Sequence, residues 1–336
     1  MDWRVKALVQ GVLSKTPGGM RLNSALQVLA GGRRNLARHI DDKVVDDWLV
    51  HARHLRELNF ELPGRVMLEV GTGWLPVMPL CFALAGVGRC ITVDLNRHLQ
   101  LRHVSAVLAR LGTHLDAMAQ ACGQPTAQLR QRWQALAAIK DGAALLQAAG
   151  IEYLAPGDAT ATGLGDASVD LVFSNSVLEH VPATVLAALM CETVRMLRHD
   201  GLALHNVNCG DHYAYFDRSI TAVDYLRFSE REWRRWNNEL LFQNRLRAID
   251  FVHAAQAAGL HIVMDHHRPR ADLLARMNEI TVAEPFRHLP NEELCCTSVD
   301  FAATPRQAHA AQGDVAPPLS LVPADGGRPR PAVGQR

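Results

Sequence analysis

From Arg65 onward the chain alternates short, nearly unbroken apolar runs with longer stretches whose apolar residues recur every three or four positions. The short runs are RVMLEV (65–70), RCITVD (89–94), IEYLA (151–155), VDLVFS (169–174), LALHNV (202–207) and LHIVMD (260–265). Runs with so few polar interruptions read as strands buried on both faces. Strands separated by helical stretches pack as a parallel sheet between two helical layers. The pattern therefore predicts an α/β, doubly wound fold.

Two stretches interrupt the alternation. Residues 97–150 read as entirely helical, with Pro125 and Thr126 offering a helix start at TAQLRQRWQALAAI. Residues 208–245 are rich in aromatics and arginine, and Ser229 with Glu232 forms a capping-box pattern ahead of WRRWNNELLF, which predicts a helical lid. Before the alternation, residues 1–60 carry Trp3, Val5, Leu8, Val12, Val44, Val45, Trp48, Leu49 and Leu55 near helical spacing, a basic helical flank expected to cover one edge of the main domain. After it, residues 306–336 are rich in proline and glycine without periodicity and are expected to be a disordered tail. The expected layout is thus a flank (1–60), a main domain (61–305) and a tail.

Composition narrows the function. The formal net charge of +1 over 336 residues gives no reason to expect a polyanionic partner. Seven cysteines, an odd number without CxxC spacing, suit a reducing compartment better than a disulfide framework. The first residues interrupt their apolar positions with Arg4, Lys6 and Gln10, so no signal-peptide core is expected. The longest apolar stretch, MPLCFALAGVG, is too short to cross a bilayer. A cytoplasmic protein without a membrane span is the expectation.

The informative chemistry begins at the end of the first strand. In EVGTGWLP (69–76), Gly71 and Gly73 permit a sharp turn and close approach of a ligand to the main chain, and Pro76 suits the start of a helix. The second strand ends in Asp94, 23 residues after Gly71, near the distance at which an acid meets ribose hydroxyls in this architecture, although an Asp after a strand can also simply cap a helix. Pro76 replaces the third glycine of a dinucleotide turn, no Lys or Arg lies in the turn, and Glu69 would repel phosphate. With Asp158 in PGDAT after the third strand, the acids suit a cationic nucleoside.

Taken together, EVGTGWLP, ITVDLN, PGDAT, VDLVFSNSVLEHV and MLRHDGLALHNV resemble, in order and spacing, the motifs of class I S-adenosylmethionine-dependent methyltransferases of the small-molecule, type 11-like group. The likeness runs over residues 61–305. It implies a seven-stranded, mostly parallel sheet whose last strand, TSVDFAA (297–303), runs antiparallel as a hairpin with LHIVMD. By position it implies that Glu69, Gly71, Thr72 and Gly73 line the methionine part of S-adenosylmethionine. Asp94 would hold the ribose, Asp158 and Ala159 would flank the adenine, and Asn175 and Ser176 would close the pocket. Where the family often has a third glycine, this chain has Leu75.

Methyl transfer needs alignment above all, and a base where the acceptor must lose a proton. His180 in SNSVLEHVP is the first candidate and His212 in GDHYAY the second, with Asp211 and Tyr213 as further walls of an acceptor site and Glu179 as a structural anchor. His205, Cys209, Asp211 and His212 match no familiar metal spacing, so no metal is expected. The pairs His51/His54 and His266/His267 read as solvated or helix-face residues. The expected acceptor is an O or N atom of a small molecule or glycan. A nucleic-acid clamp built from Arg227, Arg231, Arg234, Arg235, Arg245 and Arg247 is disfavoured by the acids among them. Two other readings stay open: an NAD(P)-dependent oxidoreductase, and a non-catalytic protein that keeps the cofactor fold. The sequence leaves the oligomeric state undetermined.

Overall fold

The computed structural model describes residues 2–16 and 36–306; the predicted tail, apart from Arg306, lies outside the described residues. Each predicted strand forms: β1 (Val66–Val70), β2 (Arg89–Val93), β3 (Ile151–Leu154), β4 (Val169–Asn175), β5 (Leu197–Asn208), β6 (Leu260–His267) and β7 (Ser298–Pro305). They make one sheet in the order β3-β2-β1-β4-β5-β7-β6. All neighbours are parallel except β7, which runs antiparallel between β5 and β6. The pairing of β6 with β7 is as expected, but residues 268–297 between them form a long connection of short helical turns and not a tight hairpin.

The helices divide by face, as the two-sided burial of the strands requires. One face carries α2 (Leu36–Asp42), a π-helical stretch (Lys43–Trp48), α3 (Leu49–Glu57), α4 (Val77–Leu84), α5 (Val104–Leu111), α6 (Leu115–Cys122), α7 (Thr126–Ala137) and α8 (Gly142–Ala148). Met67, Phe173 and Leu204 from the sheet meet Trp48, Leu55, Leu80 and Phe82 there. The other face carries α9 (Ala183–Met196) and α11 (Ala248–Ala257), whose Leu186, Met190, Phe251 and Ala255 pack on Leu68, Ile91 and Val172. The stretch 97–150 is helical as predicted, and the helix expected at Thr126 starts there behind Pro125.

The flank does something the periodicity does not show. Its second half, residues 36–57, lies on the sheet's helical face, whereas α1 (Trp3–Ser14) leaves the sheet altogether. Trp3 and Ala7 enter a third core with Tyr213, Tyr225 and Trp233 from the aromatic segment and Leu273, Met277 and Phe286 from the β6–β7 connection. Trp3 stands with its ring 5.2 Å from both Tyr213 and Trp236.

The lid is less helical than predicted. The Ser229–Glu232 capping box forms, but α10 (Glu230–Trp233) is a single turn, and the chain from Arg234 to Arg245 is irregular. Side-chain hydrogen bonds organise it in place of a helix: Asn237 Nδ2 donates to the Gln243 carbonyl at 2.9 Å, and Asn237 Oδ1 accepts from the Gln243 N–H at 2.9 Å. The remaining short helices, α12 (Ala271–Leu274) and α13 (Asn291–Leu294), flank the same core.

Trp3→Ala should release α1 from the lid without melting the sheet, since a buried Trp truncation costs about 3–5 kcal/mol in contacts local to that core. Hydrogen exchange should rise over residues 3–14 and 225–236 while β1 and β4 keep their protection; loss of protection in the sheet would contradict the separation of the cores.

Candidate active site

Parallel register brings the predicted residues to one edge. Val70 lies opposite Val93 on one side and Ser174 on the other, so the chain leaves β1, β2 and β4 at the same level. At that edge β1 continues toward β2 and β4 toward β5, the switch point where open α/β sheets bind ligands.

The two glycines prove to be needed for different reasons. Both have positive φ, +84° at Gly71 and +70° at Gly73. A Cβ on Gly71 would stand 2.5 Å from Val177 Cγ2, so this glycine makes room for the chain that leaves β4. A Cβ on Gly73 would meet nothing within 4 Å, so here the bare main chain faces open space. Pro76 occupies the N-cap position ahead of α4.

Around this turn stand the acids. Glu69 is buried on the sheet face that the π-helical stretch covers; its Oε2 accepts from Thr92 Oγ1 at 2.8 Å. Burial drives its pKa up to about 7, against the pull of the Thr92 hydroxyl and the Lys43 charge. Asp94 is buried too, and its Oδ2 accepts from the Gly73 N–H at 3.2 Å and from the Tyr153 hydroxyl at 2.9 Å. Burial raises its pKa, which the hydrogen bond from Tyr153 and the Gly73 amide oppose. Asn175 ends β4 with both its side-chain nitrogen and oxygen buried and unpartnered, and Ser176 follows in a left-handed turn at φ +53°. Thr72 is buried between the glycines.

Asp158 and Ala159 lie farther out. The turn before them is tied in, with the Gly157 N–H donating to the Asp94 carbonyl at 2.9 Å. The Asp158 side chain itself is exposed, and its Oδ1 accepts from the Thr160 N–H and hydroxyl at 2.8 and 2.7 Å. Among the expected acids, then, Glu69 and Asp94 converge and Asp158 closes its own loop.

The family model described as a methyltransferase domain matches residues 117–205, from within α6 to β5. Over those residues the chain matches a methyltransferase domain, in keeping with the motifs it resembles. The match begins beyond the glycine turn, which therefore stands on its own geometry. Similar solved structures include a TehB-like SAM-dependent methyltransferase from Corynebacterium glutamicum (11% identity, TM-score 0.38, 81% of this chain and 97% of that one). Others are magnesium protoporphyrin IX methyltransferase from Synechocystis with bound SAH (12%, 0.40, 77% and 81%) and an S-adenosylmethionine dependent methyltransferase from Mesorhizobium loti (15%, 0.39, 76% and 99%). At these scores the likenesses carry no argument about the acceptor. No curated protein matches.

An open main chain at Gly73, an unsatisfied amide at Asn175 and the carboxylates of Glu69 and Asp94 suit a cationic nucleoside amino acid. Sequence reasoning missed two parts of this edge. Tyr153, at the end of β3, holds Asp94 and also accepts the His98 N–H at 2.9 Å. Lys43, in the π-helical stretch, acts on both Glu69 and Glu179 from the layer above the sheet, and nothing in its local sequence marks it.

On the acceptor side the structure sorts the candidates. His180 and His212 meet, with ring centroids 5.1 Å apart, although they follow different strands. The lid puts them there: His180 Nδ1 lies 2.6 Å from the Phe242 carbonyl, and the His212 N–H donates to Gln243 Oε1 at 3.0 Å. Asn244 Nδ2 donates to the carbonyls of Leu178 and Val181, both at 2.8 Å. Burial lowers the pKa of both imidazoles, that of His212 to about 4. Asp211 and Tyr213 do not join them as walls: Asp211 is buried and caps the Tyr213 N–H at 2.9 Å, while the Tyr213 hydroxyl donates to the Trp236 carbonyl. His205 is buried in the sheet with Nδ1 2.8 Å from Ser174 Oγ, away from His212.

Of the two readings of His51 and His54, solvated or helix-face, the structure gives the second: both lie on α3, His51 buried against Phe173 and His54 Nε2 3.1 Å from Asp300. Arg245 and Arg247 are buried structural donors unfit for gripping nucleic acid, with Arg247 Nη1 bonded to the Cys209 carbonyl at 2.7 Å and Arg245 Nη1 to that of Tyr225 at 3.0 Å. No helix among the described residues is long and apolar enough to cross a membrane.

Alanine at either glycine must adopt a left-handed backbone, at about 1–2 kcal/mol. Only Gly71→Ala also collides, adding about 1–3 kcal/mol of overpacking against Val177. Urea unfolding should therefore find Gly71→Ala the less stable variant; equal losses would remove Val177 as the reason for Gly71.

Proposed function

We propose that this methyltransferase moves a methyl group from S-adenosylmethionine to an O or N atom of a small molecule or glycan held between the post-β4 segment and the lid. The observation that carries this reading is the meeting of His180 and His212 at the carboxyl edge, beside the Gly71–Gly73 turn, where the sheet's neighbouring strands end.

S-adenosylmethionine supplies an electrophilic methyl on a sulfonium. Glu69, Thr72 and Gly73 would line its methionine end, Asp94 its ribose hydroxyls through the lone pairs that Tyr153 and Gly73 leave unused, and Asn175 and Ser176 the β4 side. Ala159, with Asp158 on the outer loop, would border the adenine. The lid keeps water from the acceptor, and the His180–His212 pair draws off the proton that an acceptor hydroxyl or ammonium must lose. Burial keeps both imidazoles neutral near pH 7, the form with a lone pair to offer. Incubation with radiolabelled cofactor and a metabolite extract, followed by identification of the labelled compound, tests the acceptor class; label found only in nucleic acid or protein would overturn it.

The cradle makes two quantitative predictions. Asp94→Ala should weaken S-adenosylhomocysteine binding by about 1–3 kcal/mol by calorimetry, as loss of a partner from a polar pair does; unchanged affinity would remove Asp94 from the site. Glu69 titrates near pH 7, so the ligand-free fold loses the stability of its buried neutral acid as pH climbs from the ordinary carboxylate range through 7. A cationic ligand prefers the ionised form, so its affinity rises over that window. Between pH 6 and 8 the wild type should tighten on S-adenosylmethionine by up to about tenfold more than Glu69→Gln does. Parallel pH profiles for the two would take Glu69 out of contact with the cofactor.

A further inference from the structure

Beside His180 stands a side chain for which base catalysis has no use. Glu179 is 2% exposed, and neither of its carboxylate oxygens has a hydrogen-bond partner. Burial raises its pKa against the pull of its own amide, that of Asn208 and the Lys43 charge, and Lys43, held 3.4 Å from Asp47, makes no ion pair with it. Buried polar atoms are nearly always satisfied, and a bare buried carboxylate is costly, so its missing partner needs an explanation.

The neighbours of Glu179 supply one. One ligand atom each from Glu179, His180 and His212 lies within 4.8 Å of the other two. With Nδ1 of His180 donating to the Phe242 carbonyl, its Nε2 carries the lone pair; Nε2 of His212 is buried and likewise unpartnered. That is how metal-binding imidazoles are prepared, with one nitrogen fixed by a backbone carbonyl and the other left to coordinate. The Asn244 N–H holds the Glu179 carbonyl at 2.9 Å, and Gln243 holds the backbone of His212, so the lid sets all three residues.

We propose that Glu179, His180 and His212 form a site for a divalent transition-metal cation that binds the methyl acceptor. Two imidazoles and one carboxylate are the donor set of zinc, manganese or iron(II) and leave positions open. Ligand atoms at about 2.0–2.2 Å around a tetrahedral ion stand about 3.4 Å apart, so side-chain rotations that close the triad by at most about 1.4 Å complete it. His180 is the exposed member, and the acceptor oxygen enters on its side. The inference rests on the reading that the acceptor lies here, and it replaces the expectation of no metal. The imidazole lone pairs then hold the ion in place of taking the proton: an acceptor hydroxyl bound to the cation gives its proton to water at the exposed face, and its oxygen forms the new bond to carbon as the carbon–sulfur bond breaks, with the electron pair returning to sulfur.

The full chain, stripped with a chelator and dialysed, should take up one cobalt(II) per chain with a visible absorption band of imidazole ligation. Glu179→Gln and His180→Ala should each weaken that uptake by more than about tenfold, while circular dichroism and S-adenosylhomocysteine calorimetry stay near wild type. Should Glu179→Gln not fold, the exposed His180→Ala carries the comparison. A wild type that binds no more cobalt than these variants overturns the proposal, whatever its cofactor affinity. Cobalt bound at the triad by a chain that does not bind S-adenosylhomocysteine would leave the metal site standing and remove the cofactor cradle instead.

Discussion

The parallel pairing of β1 with β4 is the constraint on which the site depends. It sets Val70 beside Ser174, and beyond that level the two chains part, one turning through Gly71 toward β2 and the other through Ser176 toward the lid. Since Val177 lies where a Cβ on Gly71 would be, the two exits are packed against each other and cannot be placed independently. The glycine turn after β1 and the segment that carries His180 after β4 thus share one joint. Asp170 secures the other end of the same pair, accepting from the Val66 N–H at 2.8 Å and from Arg65 and Arg198 at 3.0 Å each, which accounts for an acid inside the most buried strand.

From that joint the protein builds the two sides by different means. The cofactor side is made by the sheet itself, from strand ends that hydrogen bonds hold in register, with Tyr153 and Asp94 linking β3, β2 and the glycine turn. The acceptor side is made by loops, and loops acquire geometry only from what crosses between them. Gln243 and Asn244, adjacent in sequence, reach in different directions: Gln243 to Gly210 and His212 after β5, Asn244 to Leu178, Glu179 and Val181 after β4. Two amide side chains thereby fix the distance between His180 and His212. The lid in turn leans on α1 through Trp3, so the first helix of the chain belongs energetically to the acceptor side.

This difference explains what could be read in advance. The strands, their order of chemistry and the turn residues are local patterns: an apolar run, two glycines, an acid one residue beyond a strand. Six strands and the positions of Gly71, Gly73 and Asp94 were legible for that reason, whereas the seventh strand and the place of Asn175 followed only from the family resemblance. Asp158 follows a strand just as Asp94 does, yet Thr160 two residues later captures its carboxylate, a contest between local and distant partners that spacing cannot decide. SERE caps a helix, but the run behind it fails to propagate, since Trp233 is drawn into a core made with residues far away in the chain and Arg245 stacks over its ring. Docking of α1 there was illegible for the same reason, as Trp3 shows only helical spacing until its partners are known.

Two buried acids at the lid's base sharpen the distinction between structural and chemical roles. Asp211 and Glu179 each follow a strand, each is under 5% exposed, and burial raises the pKa of each. Asp211 accepts from the Tyr213 N–H and caps a turn, and the charge of Arg245 acts on it, so its surroundings account for it completely. Glu179 has the same burial with no hydrogen-bond partner at either oxygen, and two imidazoles that offer lone pairs stand within 4.8 Å of it. Lone pairs do not satisfy a carboxylate; three sets of them converging on one point call for a positive charge between them. Asp211 shows that this fold supplies partners to an acid it merely buries, and by that standard the bare triad at Glu179 is a site whose ligand comes from outside the chain.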